Sequence, residues 1–407
     1  MLYWNPGKHL AEGDPVGGVA MRICILGAGY AGLTLARELD RWLGPKTPHE
    51  ILLIDRSSHH QLITRLHEVA AAAIPPDAAL VPLSRALRGS RVHFHQATVT
   101  AIDPVAKRAH CDGREFGFDI LVMALGGEAA ESDLPGIAEN ALSLRNCDQA
   151  VRLARHIERQ VVRARRAPDA AIREAHLTAV IIGGGCTGVE LAGELHDRLR
   201  DLVALHELSE SPRLLLIESR DQLLPGFPLN AAYRAQEILA QLGVEVRVLS
   251  PVSAVRPGQV TLASGERIAA GTIAWVGGTR APRLLAESGL ATDHRGRACV
   301  DAYLCWSDRS DLFAIGDACH LLDHDAGAPV PATAQHAIQQ ARHLAYSLYR
   351  LLQGRPLVRY QPAPIAEILS LGRHHAIAVL GPVVLAGREA RVLKHLSYRR
   401  YESSIRA

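Results

Sequence analysis

No Cys-x-x-Cys pair occurs anywhere in the 407 residues, although seven cysteines do: Cys24, Cys111, Cys147, Cys186, Cys299, Cys305 and Cys319. Their scatter and odd number fit a reduced cytosolic protein rather than a disulfide scaffold. Long apolar runs are also missing. No stretch approaches the roughly 18 apolar residues of a membrane-spanning helix, which confines any membrane contact to the periphery. The opening "MLYWNPGKHLAEGDPVGGVA" lacks the apolar run of a signal peptide. Its Gly and Pro content predicts a disordered leader over 1–20, with Met21 a candidate start. Strong charge of either sign is absent too: the net charge is +3, which carries no argument for nucleic acid.

What is present is glycine, 34 residues of it, in a chain 48% hydrophobic and 21% charged. That is an ordinary globular balance. The length implies two domains or more, since single cores stop growing at roughly 250 to 300 residues. "RICILGAGYAGLTLARELDRWL" reads as strand, glycine turn and helix, and "EILLID" as the next strand. "VHFHQATVTAID" and "DILVMALGG" add further β-like runs. After an Arg-rich helical stretch at 148–175, read as an exposed connector, the same grammar restarts. "HLTAVIIGGGCTGVELAGELHDRL" gives strand, turn and helix, and "PRLLLIES" a second strand. "DLFAIGDACHL" is a third apolar strand ending in a Gly-Asp turn, followed by the helix "ATAQHAIQQARHLAYSLYRLL".

In G-x-G-x-x-G after a strand, the first glycine permits the tight turn and the second lets backbone approach a pyrophosphate. The third lets the helix pack closely, and the helix N-terminus faces the phosphates. Gly27, Gly29 and Gly32 fit, and so do Gly183, Gly185 and Gly188. An acid closing the following strand suits a ribose hydroxyl: Asp55 in the first unit and Glu218 in the second, 28 and 35 residues after the first glycine. Two such units predict two dinucleotides. A tightly bound flavin and an exchanging nicotinamide would make an electron relay. Glu218 would repel a 2′-phosphate and favours NADH over NADPH, a preference that Arg220 could soften.

The pairing of "GAGYAGL", "GGGCTGVELAGEL" and "FAIGDA" resembles the two-dinucleotide flavoprotein superfamily. "LIDRSSHHQLITRLHEVAAAAI" and "AQHAIQQARHLA", which matches an A-Q-x-A-x-Q helix, are similar more narrowly to the type II, non-proton-pumping NADH:quinone dehydrogenases. The resemblance runs from about Arg22 to about Leu385. It implies an α/β fold of two Rossmann-like domains, an FAD domain with an inserted NAD domain, plus a short C-terminal section. The boundaries expected are 21–147 and 296–360 for the FAD domain, 148–295 for the NAD(P)H domain and 361–407 for the last section.

The same resemblance implies FAD contacts at Arg56, His60, Val99, Gly126, Gly316, Asp317 and Ala334, and a nicotinamide-side contact at Gly278. It implies that Gln335 and Gln339 face the quinone, although two polar residues four apart also suit an exposed helix face. Glu190 would sit near nicotinamide and flavin, holding a proton for the quinone or orienting the flavin; the alternative is that Glu190 and Glu194 are ordinary acids of that helix favoured by its dipole. The pairs His59/His60 and His374/His375 alternate faces in a strand, and no metal is expected.

Two departures matter. "SSHHQLITRLHEV" has no redox cysteine pair, which argues against a disulfide substrate, and Cys186 and Cys319 match no sulfide-oxidising pattern. The tail "REARVLKHLSYRRYESSIRA" is short and basic, with Val392, Leu393 and Leu396 as apolar anchors. It predicts weak peripheral membrane contact at most, from a cytoplasmic protein at the inner face of the membrane. The function expected is transfer of a hydride from NADH to FAD and of two electrons to a quinone-like acceptor. Alternatives are a reductase of a carrier protein or small quinoid metabolite, and an NADH-responsive redox sensor. A homodimer is a further expectation.

Overall fold

One supersecondary unit is built twice in the computed structural model, which describes residues 19–129, 134–307, 309–323 and 325–406. Most of the expected leader therefore lies outside the described residues. The first unit opens with strand Arg22–Leu26, whose Ile23, Cys24, Ile25 and Leu26 are fully buried. A run apolar on both faces is what a central parallel strand covered by helices requires. Helix Tyr30–Leu43 follows, then strands Glu50–Asp55 and His93–Gln96, an antiparallel three-stranded ribbon over 99–117, and strand Ile120–Met123. The second unit repeats the order: Thr178–Ile182, helix Cys186–Leu205, Arg213–Ile217, Glu245–Arg247, a ribbon over 252–269, and Thr272–Trp275.

The sheets show how the units nest. The first has six strands, ordered 305–306, 309–314, 120–123, 22–26, 50–55 and 93–96, parallel except for the edge pair 305–306/309–314. Its strand Arg309–Ala314 comes from beyond the entire second unit and pairs in parallel with Ile120–Met123. The second unit is thus an insertion within the first. It forms its own five-stranded parallel sheet, ordered 142–143, 272–275, 178–182, 213–217 and 245–247.

Two expectations change. The stretch 148–175 is not a bare connector: helices Cys147–Arg166 and Ala170–Leu177 occupy it, and Ala150, Leu153, Ile157, Val161 and Ala164 are buried. Their spacing of three or four residues is an apolar stripe, and only the arginine face meets water. The tail differs more. Strands Ala366–Leu371, His375–Leu380 and Val383–Ala386 form an antiparallel sheet, and a 19-residue helix, Arg388–Arg406, packs against it. Its buried residues are Ala390, Lys394, Tyr398 and Ile405, whereas Val392 and Leu396 are more than half exposed. The sheet sits on helix Cys186–Leu205 at Gly193, where an added Cβ would lie 2.3 Å from Gly372 N. That close approach ties the C-terminal section to the second unit.

Candidate functional site: a cleft between two glycine turns

A cleft of about 1550 Å³ runs between the two units and is lined by both glycine turns. The turns are built alike. Gly27 and Gly183 take φ of +101° and +117°, a region costly for any residue with a Cβ. Their N–H groups donate to Ile54 O and Ile217 O at 2.7 and 2.8 Å. Gly32 and Gly188 bring helix onto turn: a Cβ on either would lie 1.8 Å from the carbonyl oxygen of Gly27 or Gly183. Both stand behind the cleft wall rather than on it. Gly29 and Gly185 cap their helices without any side-chain hydrogen bond, and nothing lies within 4 Å of the position of an added Cβ. Two helix N-termini, each with free N–H donors and a positive dipole end, therefore open onto one cavity.

The acids after the second strands are also equivalent. Asp55 accepts from Ala28 N at 2.6 Å and from Ser57 N at 2.7 Å. Glu218 accepts from Gly184 N at 2.7 Å and from Arg220 N at 2.9 Å. Each carboxylate ties its glycine turn to the loop after its own strand. Both Asp55 oxygens and Glu218 Oε2 keep a lone pair for a hydroxyl in the cleft, whereas Glu218 Oε1 accepts from both Arg220 N and Ser219 Oγ.

Arg56, Val99, Gly126, Gly278, Gly316, Asp317 and Ala334 line the same cavity. Burial raises the Asp317 carboxyl, and the nearby Arg145 guanidinium opposes that rise. Arg145 also donates to Gly278 O at 2.5 Å, tying together the chain that follows the paired strands 142–143 and 272–275 of the second sheet. His60 is placed otherwise. It is 1% exposed and stands behind the first turn, where Nδ1 donates to Ala28 O at 2.9 Å and Nε2 accepts from Tyr401 OH at 3.0 Å. Burial lowers its pKa to about 4, so the ring is a neutral brace for the turn. Its neighbour His59 lines the cleft instead.

The glutamines of the helix Ala334–Leu352 also separate. Gln335 lines the cleft, and its amide donates to Ala366 O at 2.5 Å. Gln339 does not line it: its side chain bonds both backbone groups of Ala363, at 3.2 Å each, and holds the linker into the C-terminal sheet. One residue on, Gln340 is buried, and its Oε1 accepts from Gly316 N at 2.7 Å, bracing the Gly-Asp turn. Its place one residue after the motif gave no signal of that role.

Glu190 lies where the units meet the last helix. Lys394 Nζ is 2.9 Å from its Oε1, Ser370 N donates to the same oxygen at 3.1 Å, and His67 Nδ1 is 3.7 Å from Oε2. Burial alone would raise the carboxyl; Lys394, His67 and the Ser370 hydrogen bond outweigh it and hold Glu190 below the usual range. Lys394 Nζ also donates to Ile368 O at 2.7 Å and sits 5.0 Å from the Tyr398 ring centre. Tyr398 OH donates to Thr64 O at 2.8 Å, and Tyr401 packs on Tyr30 with ring centres 4.6 Å apart. Lys394, Tyr398, Tyr401 and Glu402 all line the cleft and were missed in the sequence. Their spacing of three and four was readable as one helical face, but the apolar residues of the tail pointed to another.

None of the seven cysteines forms a disulfide. Cys186 lines the cleft, and burial pushes its thiol up to about 12, far from a reactive thiolate.

A family described as pyridine nucleotide-disulphide oxidoreductase matches residues 21–341. The type II NADH:quinone oxidoreductase of Staphylococcus epidermidis is 33% identical over 377 residues, which span 92% of this chain and 93% of that one. Its namesake from Staphylococcus aureus is 31% identical over the same span. Among solved structures, NDH2 from Plasmodium falciparum in complex with NADH superposes with a TM-score of 0.83 at 16% identity, covering 95% of this chain and 96% of that one. The sulfide:quinone oxidoreductase from Aquifex aeolicus superposes at 0.78 and 18% identity, covering 95% and 92%. At such identities the two structures speak for the fold.

Proposed function

The chain belongs to the type II NADH:quinone oxidoreductases, within the pyridine nucleotide-disulphide oxidoreductase family, and from that premise we propose that it oxidises NADH and reduces a quinone through a bound FAD. The observation that carries this reading is the single cleft onto which two uncapped glycine helices open. A flavin dinucleotide fits the first turn and a nicotinamide dinucleotide the second, because each offers free N–H donors for a pyrophosphate and an acid for a ribose. Bound there, FAD supplies the hydride-accepting and electron-passing chemistry.

The chain's own residues bind, orient and hold protons. Asp55 and Glu218 fix the ribose ends, and Glu218 disfavours a 2′-phosphate. Gly316 and Asp317, braced by Gln340, close the first site, and Arg145 sets a positive charge beside them. Gln335 offers the acceptor a side-chain amide at the cleft wall. Lys394 Nζ presents a proton at that wall, and Glu190 holds the side chain in place.

Among the described residues no helix is long and apolar enough to cross a membrane. The exposed Val392 and Leu396, flanked by the exposed Arg388, Arg399 and Arg400 of the last helix, support a peripheral contact with anionic lipid. Anaerobic titration of the visible spectrum with NADH and then a soluble quinone tests the reading. A flavin band that NADH bleaches and quinone restores is the expected result. A band that bleaches and is not restored overturns the quinone half.

A further inference from the structure

Helix Cys186–Leu205 carries acids at Glu190, Glu194, Asp197 and Asp201, spaced four, three and four residues apart. That spacing keeps them on one face over roughly 17 Å at 1.5 Å per residue. The face begins at the cleft and ends in water: side-chain exposures are 9%, 1%, 19% and 47% in that order. Asp197 accepts from Arg373 N and Asp201 pairs with the Arg373 side chain, which makes this turn the outer end.

Glu194 is the unusual member. It is 1% exposed, its Oε1 accepts no hydrogen bond, and the group it faces there is Arg391 Nη2 at 3.7 Å. Arg391 is itself under-satisfied, with Nε and Nη1 lacking acceptors. Buried groups of this kind are bridged by internal water. One ligand atom each from Glu194, Glu68 and His67 lie within 4.8 Å of one another, and His67 Nδ1 is 3.7 Å from Glu190 Oε2. A cation does not suit this cluster, because Arg65 and Arg391 already supply positive charge to Glu68. A proton does.

Oxidation of NADH by a quinone follows NADH + H⁺ + quinone → NAD⁺ + quinol. The hydride brings both electrons and one proton, and the second proton comes from solvent. We propose that the acidic face of this helix is the inlet for that proton, passing it from Asp201 and Asp197 to Glu194, then through His67 to Glu190 and Lys394 at the acceptor. The inference rests on the proposed quinone reaction and adds its proton supply. Burial raises Glu194 to about 7; Arg391 opposes that rise, while Glu68, Asp197 and Glu190 add to it. A carboxyl so poised both holds and releases a proton near neutrality. Burial lowers His67, against the pull of Glu190 and Glu68, and its Nε2 lies 2.9 Å from Ser370 Oγ.

Stopped-flow of the FAD-loaded protein separates the two half-reactions. In Glu194→Gln, flavin reduction by NADH keeps its rate, whereas reoxidation by a soluble quinone slows about tenfold and loses its inflection near neutral pH. Added formate, a small proton carrier, restores much of the loss. Asp197→Asn, nearer the surface, gives a smaller loss of the same kind and serves where the first variant retains no flavin. Reoxidation at the wild-type rate and pH profile in both variants overturns the inlet. Failure of quinone to reoxidise the wild-type flavin overturns the reaction on which it rests.

Discussion

Replacing Lys394 with Met keeps the stem of the side chain and removes the charge that faces Glu190, so its cost depends on pH. Lys394 is 7% exposed and makes two contacts below 3 Å, to Glu190 Oε1 and Ile368 O. Without it, Glu190 keeps Ser370 N and His67 but has lost the lysine charge. A buried pair broken on one side costs about 3 to 5 kcal/mol while the survivor stays ionised. The survivor can instead take up a proton. At pH 5 that costs about 1 kcal/mol for an ordinary glutamate, and at pH 8 about 5 kcal/mol, at 1.36 kcal/mol per pH unit.

In the wild type the Glu190 carboxyl lies below its ordinary range, so its contribution is present above that range and is lost as pH falls through the folded value. In Lys394→Met burial dominates and the folded value lies above the ordinary one, so stability falls as pH rises. The difference between the proteins therefore widens with pH: about 1 to 2 kcal/mol at pH 5 and about 3 to 5 kcal/mol at pH 8. Urea unfolding of the FAD-loaded proteins at both pH values measures it. The double variant Lys394→Met/Glu190→Gln should recover most of the loss at pH 8 and little at pH 5. Equal losses at the two pH values, or no recovery in the double variant, would refute the reasoning.

Gly32→Ala places a Cβ 1.8 Å from Gly27 O, so the variant should be purified without flavin; a normal flavin-to-protein ratio contradicts that packing. Gly193→Ala drives a Cβ against Gly372 N and should cost about 1 to 3 kcal/mol, with faster hydrogen exchange in 366–386 and not in 22–55. Uniform exchange changes would show that the C-terminal sheet does not lean on this helix. Tyr401→Phe removes the donor to His60 Nε2 and should cost about 1 kcal/mol in thermal unfolding, with flavin retained. An unchanged midpoint there would mean that His60 braces the turn without Tyr401.

The two turns were legible because their glycines answer backbone demands: φ near +100° at Gly27 and Gly183, and near contact at Gly32 and Gly188. Such demands are local and leave a residue type behind. The repeated strand order was legible for the same reason, since each strand is a short apolar run bounded by turns. The last helix was misread because its buried face meets a polar cleft. Lys394, Tyr398 and Tyr401 turn inward to Glu190, Thr64 and His60, and Val392 and Leu396 are left outside. A pattern that assigns apolar residues to the interior inverts there.

Glu190 shows where sequence reasoning stops. As the fifth residue of a helix it is indistinguishable from an acid favoured by the dipole, and family likeness alone marked it out. What sets it apart is a set of partners distant in the chain. Ser370 stands 180 residues from Glu190 and 303 from His67, and Lys394 is on the final helix. No window of sequence contains that set, because it exists only after the inserted unit has closed and the last helix has docked. The acids four, seven and eleven residues beyond Glu190 were always visible as one face. Only the burial of Glu194 between Glu68 and Arg391 turns that face from a solvated stripe into a path with an inside and an outside.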